Sequence, residues 1–283
     1  MFETQNLKQH SIKVLLLTAA LLLNSSAEAS TESVPIVGGN TVSANSAIGR
    51  RTVGLFFIQK DNKQSLCTGS ILDSSHILTA AHCIQNLKQA MVLFSPNMIQ
   101  VIQNVSANGI AKTPEARVVT NAKEQPGYNG QAGGDSEFND LAILTFSGGL
   151  VAGYEAAHFL SKADALNVLA SHTPVVLAGY GVTTPPSVAA TAADPNKGSG
   201  TLRQVAVSFD SMSPHQIDIF VAGPEGHDAC SGDSGGPAMV QVNGETFVIG
   251  VASRSDCMAT SIYTFVHSKN LGLAKRELEM AAF

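Results

Sequence analysis

Apolar residues along this chain fall in short runs, cut by Gly, Pro, Asn, Asp and Ser. The runs predict strands near 52–59 (TVGLFFIQ), 66–72, 75–79, 89–95, 116–121, 140–146, 174–179, 202–209, 216–221, 237–242, 246–253 and 261–266. Many short strands with frequent turn signals predict an all-β sandwich or barrel architecture. One helix stands out at the end, SKNLGLAKRELEM (268–280), where Leu271, Leu273 and Leu278 are spaced for one face. The stretch 147–170 leaves the strand pattern, is rich in Gly, Ala and Ser, and divides the chain into two halves. Residues 183–200 and 129–138 read as surface loops.

The beginning follows a different pattern. Lys8 and Lys13 precede the unbroken apolar run VLLLTAALLL (14–23), and Ala27-Glu28-Ala29 closes the segment. A charged start, a short apolar core and an A-x-A end predict a secretory signal peptide over residues 1–29. The run is too short to span a bilayer comfortably, so no membrane association is expected once it is removed. The expected location is outside the cytoplasm, extracellular or periplasmic. The net charge of −5, with 17 basic and 22 acidic residues, includes no Lys/Arg cluster and gives no support to nucleic-acid binding.

Export gives the four cysteines, Cys67, Cys83, Cys230 and Cys257, a meaning. An even count in an oxidising compartment predicts two disulfides. Three pairings are open, and local pairing is the simplest. No C-x-x-C or H-E-x-x-H spacing supports zinc, and no metal or cofactor is expected.

The chemistry gathers around GDSGG (232–236). Gly232 and Gly235 permit a sharp, crowded backbone path beside the Ser234 hydroxyl. Such a path can aim several N–H groups at one point, as stabilisation of a developing oxyanion requires. A serine hydroxyl needs a base. His82 lies in LTAAHC at the end of an apolar strand, beside a cysteine that can pin it. A base needs an orienting acceptor, and Asp140 opens the strand DLAIL. Taken singly, these are an ordinary Gly-rich turn, a structural histidine and a strand-start cap.

Their order changes the reading. IVGG (36–39), TAAHC (79–83), DLAIL (140–144) and GDSGGP (232–237) together resemble the chymotrypsin/trypsin family of serine proteases. GYG (179–181), LRQV (202–205) and SIYTFV (261–266) look like further landmarks of that family. The resemblance implies two six-stranded antiparallel β-barrels, about 36–155 and 156–267, followed by the helix, with the active site in the cleft between them. It implies Ser234 as nucleophile, His82 as base, Asp140 as its orienting partner, and the N–H groups of Gly232 and Ser234 as oxyanion hole. It also selects the local disulfides, Cys67–Cys83 and Cys230–Cys257.

The same resemblance implies a zymogen. Removal of a short propeptide, STESVP (30–35), would free the amine of Ile36 to pair with Asp233. Pro35 stands where the family usually has Arg or Lys, so a different protease is expected to make the cut. For the substrate pocket the resemblance implies Asp228, Ser253, Ser255 and Ser261. Asp228 takes the floor position that binds Arg or Lys in trypsin-like members. Arg254 replaces a usual aromatic residue, and Ser255 and Ser261 replace usual glycines, which narrows the slot. The expected function is a secreted serine endopeptidase that cuts proteins or peptides after Arg or Lys. The alternatives are a non-tryptic specificity, or a non-catalytic protease homologue that serves as a binding module. The usual sign of the latter is a lost triad residue, and none is lost.

Overall fold

The computed structural model describes residues 36–128, 130, 139–184 and 198–272. The expected signal peptide, the propeptide, 129 and 131–138 of one expected loop, 185–197 of the other, and 273–280 of the expected helix lie outside the described residues. Within them, residues 268–272 are helical.

After a short strand β1 (Asn40–Thr41), six strands close into a barrel: β2 (Thr52–Gln59), β3 (Gln64–Ile71), β4 (His76–Thr79), β5 (Leu87–Leu93), β6 (Ala116–Glu124) and β7 (Ala142–Phe146). Their order around the ring is β2-β3-β4-β7-β6-β5, and every pairing is antiparallel. Closure satisfies the backbone groups that an open sheet would leave at its edges.

A helix, α1 (Met98–Asn108), interrupts the barrel between β5 and β6. It explains why β2 is apolar without alternation. Val53, Leu55 and Phe57 point into the barrel core, while Phe56, on the other face, packs with Met98 and Val101 of α1.

The second half begins with β8 (His158–Phe159) and α2 (Lys162–Ala170) and continues through β9 (Val175–Gly179), β10 (Arg203–Met212), β11 (Asp218–Ala222), β12 (Pro237–Val242), β13 (Glu245–Ser255) and β14 (Thr260–Phe265). Strands β9-β10-β11-β14-β13-β12 form a second closed ring of antiparallel pairs. β1 adds to β10, and β8 lies parallel to β13. The all-β, two-barrel expectation therefore holds. The sequence pattern did not single out α1 or α2, and α2 occupies part of the stretch read as a break.

The two barrels share apolar packing: Met239, Val248 and Val251 join the cluster built on β2, β3 and β4. Both disulfides are local, Cys67–Cys83 in the first half and Cys230–Cys257 in the second. Among the described residues, no helix is long and apolar enough to cross a membrane.

Candidate active site

Register brings His82 and Asp140 together. β4 pairs with β7 so that Thr79 faces Ala142. In an antiparallel pair, the residues just after one strand and just before the other emerge at the same end. His82 follows β4 in a single 3-10 turn (Ala81–Ile84), and Asp140 precedes β7. The carboxylate grips the histidine twice. Oδ1 accepts from the His82 backbone N–H at 2.9 Å, and Oδ2 lies 2.7 Å from Nδ1. Ser253 of β13 donates a third hydrogen bond to Oδ2, also at 2.7 Å. Burial alone would raise the Asp140 carboxyl, but the bonds from His82, the imidazole charge and the Ser253 hydroxyl hold it below its ordinary value.

Ser234 comes from the other barrel, on the turn that leads into β12. Gly232 and Gly235 take φ values of 100° and 79°, the left-handed backbone that a side chain would strain. The turn is fastened to the first barrel by Thr68 of β3. The Thr68 N–H donates to the Ser234 carbonyl at 2.8 Å, and Thr68 Oγ1 donates to the Gly232 carbonyl at 2.9 Å. The same Oγ1 accepts from the Tyr180 N–H at 3.1 Å. Cys83 Sγ lies 3.8 Å from both His82 Nε2 and the Ser234 carbonyl oxygen, so the outer imidazole nitrogen and the serine backbone meet at one sulfur. Neither the Ser234 hydroxyl nor the N–H groups of Ser234 and Gly232 find a partner among the described residues.

Beside Ser234 opens a cleft of about 210 Å³, bordered by Ala229, Ser231, Ser253, Arg254 and Ser255. Asp228 lies beneath it rather than on its wall and is 1% exposed. Its Oδ1 accepts from the Ala229 N–H at 2.8 Å and from the Ser261 hydroxyl, and its Oδ2 lies 2.7 Å from Ser255 Oγ. β13 and β14 pair Ser255 with Ser261, which sets both hydroxyls over the one carboxylate. Burial raises the Asp228 carboxyl, opposed by the two serine bonds. Ser261 is fully buried and, like Asp228, does not border the cleft. Arg254 turns to Asp218, with Nη2 3.1 Å from Oδ2.

Asp233 is buried below the turn. Its oxygens accept from the Gly181 N–H at 2.8 Å and the Cys230 N–H at 2.9 Å. Burial pushes its carboxyl up to about 7 against those two bonds. Ile36 is fully buried in the second core, and Val37 packs with Cys230, one of the two donors to Asp233, and with Val182, which follows the other donor, Gly181.

Sequence reasoning missed Thr68, the bond from Ser253 to Asp140, and the Arg254–Asp218 pair. Thr68 follows Cys67 directly, and its tie to a disulfide beside the base was the available signal. The partners of Ser253 and Arg254 lie far away in sequence, and no local pattern marks them.

Two closed barrels, with this site where they meet, define the class of trypsin-like serine proteases. The trypsin family profile matches residues 36–270, and the chain belongs to that family. It is 28% identical to CLIP domain-containing serine protease B4 of Anopheles gambiae over 207 residues, covering 66% of this chain and 54% of that protein. The chain thus spans about half the length of that relative. It is 30% identical to trypsin delta of Drosophila melanogaster over 217 residues, covering 75% of this chain and 76% of the relative. Among solved structures, the 1.7 Å structure of HL collagenase is similar in fold, with a TM-score of 0.64, 18% identity, and coverage of 86% of this chain and 98% of that one.

Proposed function

We propose that this protein is an exported serine endopeptidase that works through an acyl-enzyme on Ser234. The observation that carries the reading is the doubly held His82–Asp140 pair beside an unengaged serine hydroxyl and two unengaged N–H groups. His82 Nε2 takes the proton of Ser234 as Oγ bonds to the scissile carbonyl carbon. The carbonyl oxygen gains the negative charge, and the N–H groups of Gly232 and Ser234 receive it. Asp140 fixes the proton on Nδ1 and stabilises the imidazolium. His82 then gives its proton to the leaving amine as the C–N bond breaks. Water, deprotonated by the same imidazole, releases the acyl group and restores Ser234. All three residues being present argues against the binding-module reading.

Asp228 supports cleavage after Lys or Arg. It is a buried negative charge under the pocket, and the described residues offer it hydrogen bonds but no ion pair. Ser255 stands between it and the cleft. Ser255 Oγ is itself fully engaged, lying 2.7 Å from Asp228 Oδ2 and 2.6 Å from the Ala229 carbonyl and accepting from the Cys257 N–H at 2.7 Å. A basic side chain would have to turn this hydroxyl aside to meet Asp228 directly, and an Arg that did so could use two parallel bonds.

The buried Ile36, and an Asp233 that feels the Arg203 charge but has no ion pair among the described residues, support activation by cleavage before Ile36. A pocket that favours basic residues has no hold on a Pro35-Ile36 bond, so a separate activating protease is required.

The test uses the protein before and after its amino terminus is released at Ile36, with the terminus confirmed by sequencing. A serine-directed phosphonylating reagent should label Ser234 in the released form. Ser234→Ala should cut amide hydrolysis by several orders of magnitude, leaving about 10³–10⁴-fold over water. A peptide library should be cut after Lys or Arg. Near-wild-type turnover in Ser234→Ala sinks the mechanism, and a preference for Phe or Leu sinks the basic specificity alone. Full activity with Ser30 as the intact start sinks the zymogen.

A further inference from the structure

Arg254 makes two polar contacts that join separate parts of the second barrel to the site. Its Nη2 pairs with Asp218 Oδ2 at 3.1 Å, and its Nη1 donates to Ser253 Oγ at 3.3 Å. Asp218 lies on β11, and Arg254 reaches it from β13 across β14, since Arg254 pairs with Ile262 and Ile262 with Phe220. The Asp218 side chain is 1% exposed and that of Arg254 24%. The carboxylate is thus a buried anchor for one arm of a rigid, planar fork, which sets where the other arm points.

Neighbouring residues on a strand normally point to opposite faces. Here the register of β13 against β14 shifts at Ser253. Ala252 pairs with Tyr263 and Arg254 with Ile262, so Ser253 is the extra residue of a bulge. Bulges re-aim side chains. This one leaves the Ser253 hydroxyl within reach of its own neighbour and of Asp140 in the other barrel, 2.7 Å away.

The direction of the chain is fixed at both ends. A guanidinium only donates and an ionised carboxylate only accepts. The one Ser253 proton therefore goes to Asp140 Oδ2, and a lone pair of Oγ receives Arg254. The same Oδ2 lies 2.7 Å from His82 Nδ1. Hydrogen bonds in series polarise one another. A cation on the Ser253 oxygen makes its hydroxyl a stronger donor to the carboxylate that orients the base.

We propose that Arg254, anchored on Asp218, is a positioning residue for the catalytic pair, and that it acts by holding and polarising the Ser253 hydroxyl that secures Asp140 against His82. This rests on the protease reading above.

Arg254 also borders the pocket beside Ser234, so a peptide substrate would report the pocket wall and the chain together. A small phosphonylating reagent without a peptide part separates them, because its capture by Ser234 needs the triad and places no substrate side chain in the pocket. The rate of Ser234 labelling is measured in protein released at Ile36 whose melting shows it folded. Arg254→Lys leaves Asp218 a counter-ion but lacks the fork that also reaches Ser253. Arg254→Met combined with Asp218→Asn removes the pair together, so that no buried charge is left unmatched. Each should slow labelling about tenfold, the weight of one hydrogen bond to a charged group. In a Ser253→Ala background the same changes should slow it by no more than about twofold, because the link they act through is gone. A change that merely loosened the barrel or reshaped the pocket would slow both backgrounds alike. Equal slowing in the two backgrounds, or slowing in neither, overturns the proposal and leaves the protease reading standing. Absence of labelling at Ser234 in the parent protein overturns that reading and the proposal with it.

Discussion

Asp233 is the residue whose environment makes the sharpest demand. Its carboxyl ordinarily titrates near 3.8 and is raised to about 7 by burial. Between those values the folded chain holds a proton that the unfolded chain releases. The stability due to this group is therefore full at acid pH and declines as pH rises through that window. An amine arriving from Ile36 would supply the missing cation and remove the dependence. In the uncleaved protein, the melting temperature relative to Asp233→Asn should fall as pH rises from 3.8 to about 7. After cleavage before Ile36 the difference should be flat. Parallel behaviour of the two forms would refute the pairing. The sequence placed Asp233 and Ile36 in this relation through resemblance alone, since nothing local in GDSGG indicates a buried carboxylate.

At the level of elements, β3 does more than complete a barrel, because Thr68 holds the serine turn by side chain and backbone together. Thr68→Val keeps the shape and removes the hydroxyl, leaving the Gly232 carbonyl and the Tyr180 N–H without their partner. The expected cost is about 1–3 kcal/mol of stability. As a positioning residue, Thr68 should affect kcat more than KM, and Thr68→Ser should restore most of both. Denaturant titration with steady-state kinetics checks this, and a loss confined to KM would contradict it.

The strands were legible because each is a short apolar run closed by turn residues, and barrel closure preserves that pattern. The two helices were not. α1 does carry the signs: Met98, Val101, Ile102 and Val105 at helical spacing, Asn97 accepting from the Gln100 N–H at its start, and Gly109 at its end. Its β-branched residues and its position between two strands masked them. α2 buries only Ala165 and Leu169, a face too narrow to show as a period.

On the scale of the whole molecule, the candidate site belongs to neither barrel. His82 and Asp140 come from the first and Ser234 from the second, while each disulfide stays within one half. The seam is closed by Thr68 on the serine turn, by Ser253 on Asp140, by Arg51 on the Thr246 carbonyl, by Tyr180 Oη donating to the Ser95 carbonyl at 2.8 Å, by backbone bonds from Met98 N–H to the Gly200 carbonyl at 2.9 Å and from Leu202 N–H to the Pro96 carbonyl at 2.7 Å, and by shared apolar packing. The three candidate residues could be named from the sequence because each sits in a compact motif. The seam could not, since its contacts join residues more than 80 positions apart, such as Ser95 with Tyr180.

The bonds that close this seam are hydrogen bonds and apolar contacts, with one charged donor among them: Arg51, paired with Glu155 at 2.8 Å, reaches across to the Thr246 carbonyl at 3.2 Å. The ion pairs Lys63–Asp61 and Arg254–Asp218 each lie inside a single barrel. Dissolved salt screens exposed charges farther apart than a Debye length, about 10 Å at 0.1 M, and acts much less on a partly buried one such as Arg51, whose side chain is 11% exposed. Turnover at saturating substrate should therefore hold to within about twofold from 0.1 to 1 M sodium chloride, even as long-range attraction of a cationic substrate fades. A steep fall in kcat over that range would contradict the inference. A seam built this way keeps its alignment largely independent of the ionic strength around it.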